Sequence, residues 1–301
     1  MFLHNDKNNF YEIIKLASRY FNVSPAIIEK DYYVTLILYK LEDQMPCLLF
    51  KGGTSLSKCY KIIDRFSEDI DITLDIDHQS QSNRKKLKKV IVNICEELGL
   101  TLINKDEIKS RLDYNCYKID YCTENNLSEL NPHLLVETVF MVKAFPYENK
   151  EVSSLIYDFL LAKNKYSVIE NYELKKFNVH VQTLERTFID KVFAICDYML
   201  CNKDKGHSRH IYDLSRLLPK ITIDENFKNL IKEVRIERQQ NDRCNSANDG
   251  LSVSKLLRKI IDTEYFKRDY IENTEKLLSK QVTYDEAIQT LEEIIKISIF
   301  D

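Results

Sequence analysis

The chain has 301 residues, of which 44 are Lys or Arg and 47 are Asp or Glu, so its formal net charge is −3. This balance excludes a broadly cationic surface of the histone type, and any contact with nucleic acid must be confined to local basic patches. The length exceeds that of a typical single domain and predicts two domains, with one large domain as the alternative.

The cysteines and the apolar runs indicate where such a protein resides. None of the cysteines forms a C-x-x-C pair, and most lie in apolar runs, where a thiol behaves as a small hydrophobic side chain. No apolar run approaches the ~18 residues of a membrane span, and the N-terminus lacks a signal-peptide pattern. We therefore expect a cytoplasmic protein with no membrane partner and with reduced thiols. The eight cysteines are Cys47, Cys59, Cys95, Cys116, Cys122, Cys196, Cys201 and Cys244.

The first predicted elements are a helix, a strand and a second helix. Ser24-Pro25 is typical of an N-cap followed by a proline in the first turn, and apolar spacing continues the helix to Leu41. Residues 47–50 form a short apolar run that ends at Gly52-Gly53, which predicts a strand and then a helix over residues 55–63. Because the chain has only five glycines, this pair indicates a left-handed backbone or a close approach.

An alternating segment follows, in which apolar residues from Ile70 to Ile76 alternate with polar residues from Asp69 to Asp75. This period of two predicts a strand with Asp69 and Asp71 on the same face. Two neighbouring carboxylates suit Mg²⁺, especially when substrate phosphates complete its coordination. Since an isolated Asp-x-Asp is more often a solvent-facing polar edge, the surrounding residues decide between the two interpretations.

The remaining elements change in character along the chain. A basic helix is predicted over residues 83–98, strands over 114–121, 134–142 and 177–181, and a helix over 184–200. Only helices are predicted after this point, over residues 209–218, 226–238, 253–261, 263–278 and 284–297. The sequence therefore predicts an α/β (α+β) domain over residues 1–205, with a mixed sheet flanked by helices, and a helical bundle domain over residues 206–301.

The turn from the first strand to the next helix is a candidate anion site. Backbone N–H groups from Gly52 onward, together with the hydroxyls of Thr54 and Ser55, would face a phosphate there. The pattern G-x-x-x-x-G-K-[ST] is absent, which disfavours a P-loop NTPase. A phosphate site beside a metal site indicates nucleotidyl transfer from an NTP.

Four motifs in order resemble one protein family. KGGTSLSK (residues 51–58) and RFSEDIDITL (residues 65–74) resemble motifs of the AbiEii/AbiGii toxins, whose mycobacterial relatives are the MenT toxins. TFIDKVFAICDY (residues 187–198) and RHIYDLSRL (residues 209–217) resemble the later motifs. These toxins belong to the DNA polymerase β-like nucleotidyltransferase superfamily. The resemblance implies transfer of a nucleoside monophosphate from an NTP to an acceptor hydroxyl.

The resemblance also implies a role for each matching residue. Asp69 and Asp71 would hold Mg²⁺ or Mn²⁺, Lys191 would contact the nucleotide phosphates, and Asp213 would complete the site. A third metal carboxylate would lie on a neighbouring strand; Glu137 is the candidate, but Asp120 also lies on a predicted strand and stays open as the alternative. Nucleotide contacts are expected from Gly52, Gly53, Thr54, Ser55, Lys58 and Arg209.

The expected acceptor is RNA, with the 3′ end of tRNA as the specific expectation. The resemblance implies a toxin of a toxin–antitoxin or phage-defence operon, with a cognate antitoxin as partner. A nucleotidyltransferase that modifies a small molecule or a protein, and a catalytically inactive nucleotide-binding module, stay open as alternatives. The basic segment 203–210 is interpreted either as an edge for RNA or as a mobile loop.

Overall fold

The computed structural model describes residues 1–121, 123 and 131–301. These residues form two compact units, one of residues 1–60 and 67–181 and the other of residues 61–66 and 182–301. The division falls earlier than the predicted boundary at residue 205, because the helix Leu184–Leu200 packs on the helices that follow it. That the second unit is a separate helical bundle domain stays a prediction.

The first unit contains a seven-stranded sheet with flanking helices. Its strands are β1 (Leu48–Lys51), β2 (Ile70–Leu74), β3 (Thr101–Leu102), β4 (Tyr114–Asp120), β5 (Leu134–Val139), β6 (Tyr147–Val152) and β7 (Phe177–Gln182). Its helices are α1 (Lys7–Phe21), α2 (Pro25–Gln44), α3 (Gly52–Lys58), α4 (Gln81–Glu97), α5 (Leu155–Ala162) and α6 (Tyr166–Asn171).

The strand order is β3-β4-β5-β2-β1-β7-β6. The β1·β7 and β2·β5 pairs are parallel, whereas the β1·β2, β3·β4 and β4·β5 pairs are antiparallel. This arrangement confirms the predicted mixed sheet. The apolar side chains of β2, Ile70, Ile72 and Leu74, are fully buried, as their alternation predicted.

Several elements of the first unit differ from the sequence prediction. Helix α3 begins at Gly52 rather than at residue 55, and it ends at Lys58, before Lys61 adopts a left-handed φ of 54°. Strand β6 was not predicted because its sequence YENKEV has no apolar face; it is the last strand of the sheet and largely exposed. Helices α1, α5 and α6 and the two-residue strand β3 were also not predicted.

Helices make up the second unit. They are α7 (Leu184–Leu200), α8 (Arg209–Leu217), α9 (Glu225–Gln239), α10 (Val253–Asp262), α11 (Lys267–Asp269) and α12 (Tyr284–Ile297). The single helix predicted over residues 263–278 is wrong: α11 continues as a π-helical turn, Tyr270–Thr274, and a 3-10 turn, Glu275–Leu277. Segment 61–66 joins this unit through an antiparallel bridge between Arg65 and Leu278.

Two expectations from composition can be compared with the described residues. Seven of the predicted thiols are free cysteines, and Cys122 lies outside the described residues. In the described part of the chain, no helix combines the length and the apolar character that crossing a membrane requires.

Candidate active site

The turn between β1 and α3 places Gly52 against Asp71. Gly52 has a φ of +77°, in the left-handed region that favours glycine. A Cβ atom at this position would lie 1.9 Å from Oδ2 of Asp71 and 2.9 Å from its Cβ. Both expected reasons for a glycine therefore apply at Gly52, and the group that approaches it is the aspartate of the candidate metal site. Gly53 follows as the second residue of α3.

Asp71 and Glu137 lie on one face of the sheet, and Asp69 directly precedes strand β2. Asp71 is directly opposite Glu137 in the parallel β2·β5 pair, and strands about 4.8 Å apart place such side chains next to each other. Asp69 lies two residues before Asp71, a spacing that puts two side chains on the same side of an extended chain. All three side chains are partly exposed. The predicted face of neighbouring carboxylates is thus formed by strand register.

Register also separates the two candidates for the third carboxylate. Glu137 is on the strand next to β2, whereas Asp120 is on β4, beyond β5. Cys116 is opposite Glu137 in the β4·β5 pair, so Asp120 lies about 13 Å further along β4. Glu137 is therefore the neighbour of Asp71, and Asp120 is not.

The donor set suits a hard divalent cation in its chemistry. Carboxylate oxygens are the ligands that Mg²⁺ and Mn²⁺ prefer. Within the described residues, no three His, Cys, Asp or Glu side chains lie close enough together to hold a metal ion. Glu137 Oε1 accepts a hydrogen bond from the Tyr114 hydroxyl at 3.0 Å. Binding of a cation by these carboxylates would therefore require side-chain rotation.

The hydroxyls of the turn make internal hydrogen bonds. The buried Ser55 hydroxyl donates to the carbonyl oxygen of Gly52 at 2.8 Å. The buried Thr54 hydroxyl donates to Oγ of Ser67 at 3.0 Å. Ser67 lies two residues before Asp69. In this structure both hydroxyls hold the shape of the turn, and a direct contact with a phosphate stays a prediction.

Lys58 forms an ion pair with Asp31 of α2. The Lys58 side chain is 8% exposed, and the second carboxylate oxygen of Asp31 accepts a hydrogen bond from the backbone N–H of Leu155 at 2.7 Å. The pair therefore connects α2 and α3 to the start of α5. The expected contact between Lys58 and the nucleotide stays a prediction.

A second buried ion pair from α2 was not predicted. Lys30 is fully buried, pairs with Glu68 and also donates to the carbonyl oxygen of Asn131. Glu68 directly precedes Asp69, and Asn131 precedes β5, so the pair connects the chain segments that lead into β2 and β5. Burial lowers the pKa of Lys30, and Glu68 opposes that effect. The sequence signal that could have found this pair is the charged run EKD (residues 29–31) in the first half of α2, next to apolar residues.

In the second unit, Asp213 accepts hydrogen bonds from two cations. Nε and Nη2 of Arg65 donate to its two carboxylate oxygens at 2.7 and 2.8 Å, and Nζ of Lys191 donates to Oδ2 at 2.7 Å. The Asp213 side chain is fully buried, and the exposed fractions of Arg65 and Lys191 are 2% and 8%. Two of the predicted site residues, Lys191 and Asp213, are therefore in direct contact. Arg65 was not predicted as a site residue, although it is the first residue of RFSEDIDITL.

The charges of this cluster explain its pKa shifts. Burial would raise the pKa of Asp213, but Arg65 and then Lys191 outweigh burial and hold that pKa far below its usual value. Burial lowers the pKa of Lys191; Asp213 opposes this effect and Arg65 adds to it. Because a guanidinium does not lose its proton in proteins, Lys191 is the cation that titrates. With Lys191 protonated, the three groups carry one net positive charge, which suits an anionic ligand.

A group of three aromatic rings contacts Lys191 through His210. Nδ1 of His210 is 3.4 Å from Nζ of Lys191. The rings of Tyr198 and His207 are stacked, with centroids 3.6 Å apart and planes 8° apart, and His210 is 5.6 Å from Tyr198. Burial and then neighbouring cations, including Arg209, lower the pKa of both histidines. The predicted residue Arg209 therefore lies near this aromatic group.

The loop that leads into α8 is held by a single carboxylate. Asp269 accepts hydrogen bonds from the backbone N–H groups of Gly206, His207 and Ser208 at 2.8, 3.1 and 2.9 Å. The hydroxyls of Ser208 and Thr274 are 2.7 Å apart. These bonds hold residues 206–208 of the basic segment, and whether the segment is an edge for RNA or a mobile loop stays a prediction.

The chain matches one family of known proteins. The family described as nucleotidyl transferase AbiEii toxin, type IV toxin–antitoxin system, matches residues 36–292. No curated protein matches the chain. Among solved structures, the nucleotidyltransferase toxin MenT4 from Mycobacterium tuberculosis H37Rv is similar, with a TM-score of 0.62 and 18% identity over 96% of this chain and 89% of that chain. At this level of identity the structural similarity concerns the fold.

Proposed function

The chain belongs to the AbiEii family of nucleotidyltransferase toxins, and on this basis we propose that it transfers a nucleoside monophosphate from an NTP to a hydroxyl of RNA in a Mg²⁺-dependent reaction. The observation that carries the proposal is the arrangement around Asp71. This residue lies against a left-handed glycine turn and directly opposite Glu137. Such an arrangement supplies carboxylates beside a turn from strand to helix, as nucleotidyl transfer requires.

In this proposal Asp69, Asp71 and Glu137 hold the metal ion. Bound Mg²⁺ would activate the acceptor hydroxyl and neutralise phosphate charge. Gly52 and Gly53 allow the turn to approach the nucleotide, and Thr54 and Ser55 keep the turn in shape. The ion pair of Lys30 with Glu68 positions Asp69, because Glu68 is the preceding residue.

Lys191 has the role of binding the NTP phosphates. A lysine near the leaving pyrophosphate stabilises the negative charge that develops there. Asp213 orients Lys191 through a 2.7 Å hydrogen bond, and Arg65 holds Asp213 in a bidentate pair. Lys58 and Arg209 add positive charge for the nucleotide.

The acceptor in this proposal is RNA, most specifically the 3′ end of tRNA. Exposed Lys203 and Lys205 and the nearby Arg209 support a local basic patch on a chain whose net charge is −3. The family implies a cognate antitoxin, and a role in phage defence within the cytoplasm belongs to the same proposal.

The test is labelling of total tRNA. The protein is incubated with tRNA, Mg²⁺ and each α-labelled NTP in turn, followed by a denaturing gel. We expect one NTP to label tRNA with the wild type, a loss of label with Asp71→Asn, and unchanged labelling with the exposed control Asp77→Asn. Label on a protein or a small molecule instead would overturn the RNA acceptor, and equal labelling by Asp71→Asn would overturn the metal assignment.

A further inference from the structure

The rings of Tyr198 and His207 stack face to face on each other, so a nucleobase could extend this stack on an outer ring face. The two ring planes differ by 8° and their centroids are 3.6 Å apart. Both residues are partly exposed. Flat rings with such parallel packing are sequence-tolerant platforms for bases, because every base has a π face.

The loop that carries His207 is fixed independently of the histidine side chain. The three hydrogen bonds to Asp269 come from backbone N–H groups. Asp269 is 4% exposed and also accepts a hydrogen bond from Asn273 at 2.8 Å. A change of the His207 side chain therefore removes a ring and leaves the loop in place, which makes the ring testable by substitution.

The charges around the stack suit a nucleotide. Arg209 and Lys203 lie close enough to His207 to lower its pKa further, after burial has done so. The lowered pKa favours the neutral form of His207, which a base can cover without burying a charge. On the other side of the aromatic group, His210 contacts Lys191, the proposed phosphate ligand. Rings and cations are thus combined as in sites that bind single-stranded nucleic acid.

We propose that Tyr198 and His207 form a stacking platform for a nucleobase whose phosphates are held at Lys191. The inference rests on the proposed nucleotidyltransferase function and extends it by assigning a site for the base. Two sources share this chemistry, the base of the NTP and the terminal base of the RNA acceptor. Because stacking reads no hydrogen-bond pattern, selectivity among bases at this position is expected to be weak.

The experiment uses two fluorescent probes, 2-aminopurine riboside triphosphate and a short RNA with 2-aminopurine at its 3′ end. Stacking quenches 2-aminopurine, so binding is measured at equilibrium without turnover. We expect the wild type to quench one probe and His207→Ala to bind it about tenfold more weakly. His207→Phe retains a ring and should bind within about threefold of the wild type. The control is His78→Ala, whose side chain is 50% exposed and paired with Asp75 in the first unit.

The outcomes separate the platform from the proposed function. Quenching of the triphosphate assigns the platform to the NTP, and quenching of the RNA alone assigns it to the acceptor. Unchanged affinity in both His207→Ala and Tyr198→Leu, or no quenching of either probe by the wild type, overturns the platform. If the wild type labels no acceptor while quenching depends on His207, the proposed function is overturned and the platform stands. If the wild type labels an acceptor but quenches neither probe, the platform is overturned and the proposed function stands.

Discussion

The two groups of site residues are held in different ways. In the first unit, Asp69, Asp71 and Glu137 are partly exposed, and strand register places Asp71 opposite Glu137. In the second unit, Asp213 is completely buried between Arg65 and Lys191 and is placed by short charged hydrogen bonds. The carboxylates of the first group can change side-chain conformation when a ligand binds, whereas the side chains of the second group are already held by hydrogen bonds to one another.

This difference separates activity from stability. Neutralising a partly exposed carboxylate changes the free energy of unfolding of the protein only slightly. A buried anion that satisfies two cations is different, because its removal leaves buried charges without a partner. Substitutions in the first group should therefore reduce catalysis alone, and those in the second should reduce catalysis and stability together.

The largest expected effect is on catalysis by Asp69→Asn and Asp71→Asn. If these residues hold the metal as proposed, loss of either ligand removes several kcal/mol of transition-state stabilisation, so kcat/KM should fall about 10³-fold or more. The melting temperature should change by less than about 2 °C, since surface substitutions usually alter stability by under about 0.5 kcal/mol. Steady-state kinetics and calorimetry on the same preparations test both statements. A large drop in melting temperature would show that these residues stabilise the fold, as the buried second group does.

The second effect is on the stability of Asp213→Asn. This change leaves Arg65 and Lys191 buried with a neutral partner, and the free energy of unfolding should fall by about 3–5 kcal/mol. Urea denaturation measures it, with the exposed Asp204→Asn as the control in the same unit. A loss below about 1 kcal/mol would contradict the buried, charge-paired description of this cluster.

The third effect compares Gly52→Ala with Gly99→Ala. Both glycines have positive φ, +77° and +66°, but the space around Gly99 is open whereas Gly52 contacts Asp71. Both variants should lose about 1–2 kcal/mol of stability from backbone strain, and Gly52→Ala should lose more, because its Cβ would lie 2.9 Å from the Cβ of Asp71. Only Gly52→Ala should also lose activity, by about 10²-fold, because it displaces a proposed metal ligand. Equal activities in the two variants would show that the contact with Asp71 has no role in catalysis.

The fourth effect distinguishes Glu137→Gln from Asp120→Asn. Because Glu137 is opposite Asp71 and Asp120 is not, only the first variant should require more Mn²⁺ for activity, by about tenfold or more. Titration of activity with Mn²⁺ measures the difference. If Asp120→Asn required more Mn²⁺ than Glu137→Gln, the assignment of Glu137 as the third carboxylate from strand register would be wrong.

The smallest effect concerns pH. Since the pKa of Lys191 is lowered from its ordinary value of 10.5, Lys191 is protonated at low pH and loses its charge as the pH rises through that lowered pKa. The kcat/KM profile should therefore fall on its basic side below pH 10.5. Arg65→Met removes a like charge from Lys191 and should move this fall to higher pH. A fall that stays in place would show that Lys191 is not the titrating group.

Local patterns in the sequence predicted much of the secondary structure and the pair of aspartates in the candidate site. Apolar periodicity gave the bounds of α7, and period-two alternation placed Asp69 and Asp71 on one face. Contacts between distant residues left no local signal, as for Arg65 and Asp213, which are 148 residues apart. The neighbour of Asp71 likewise depended on which strand pairs with β2, and sequence patterns do not specify strand order.

The most direct test of the central claim is to follow both ends of the NTP in one reaction. The wild type is given NTP labelled at the α-phosphate or at the γ-phosphate, with tRNA and Mg²⁺. Nucleotidyl transfer predicts that α-label is found on RNA and γ-label is released as pyrophosphate, with neither product formed by Asp71→Asn. Transfer of γ-label to the acceptor, or release of free phosphate without α-label on any acceptor, would contradict the account.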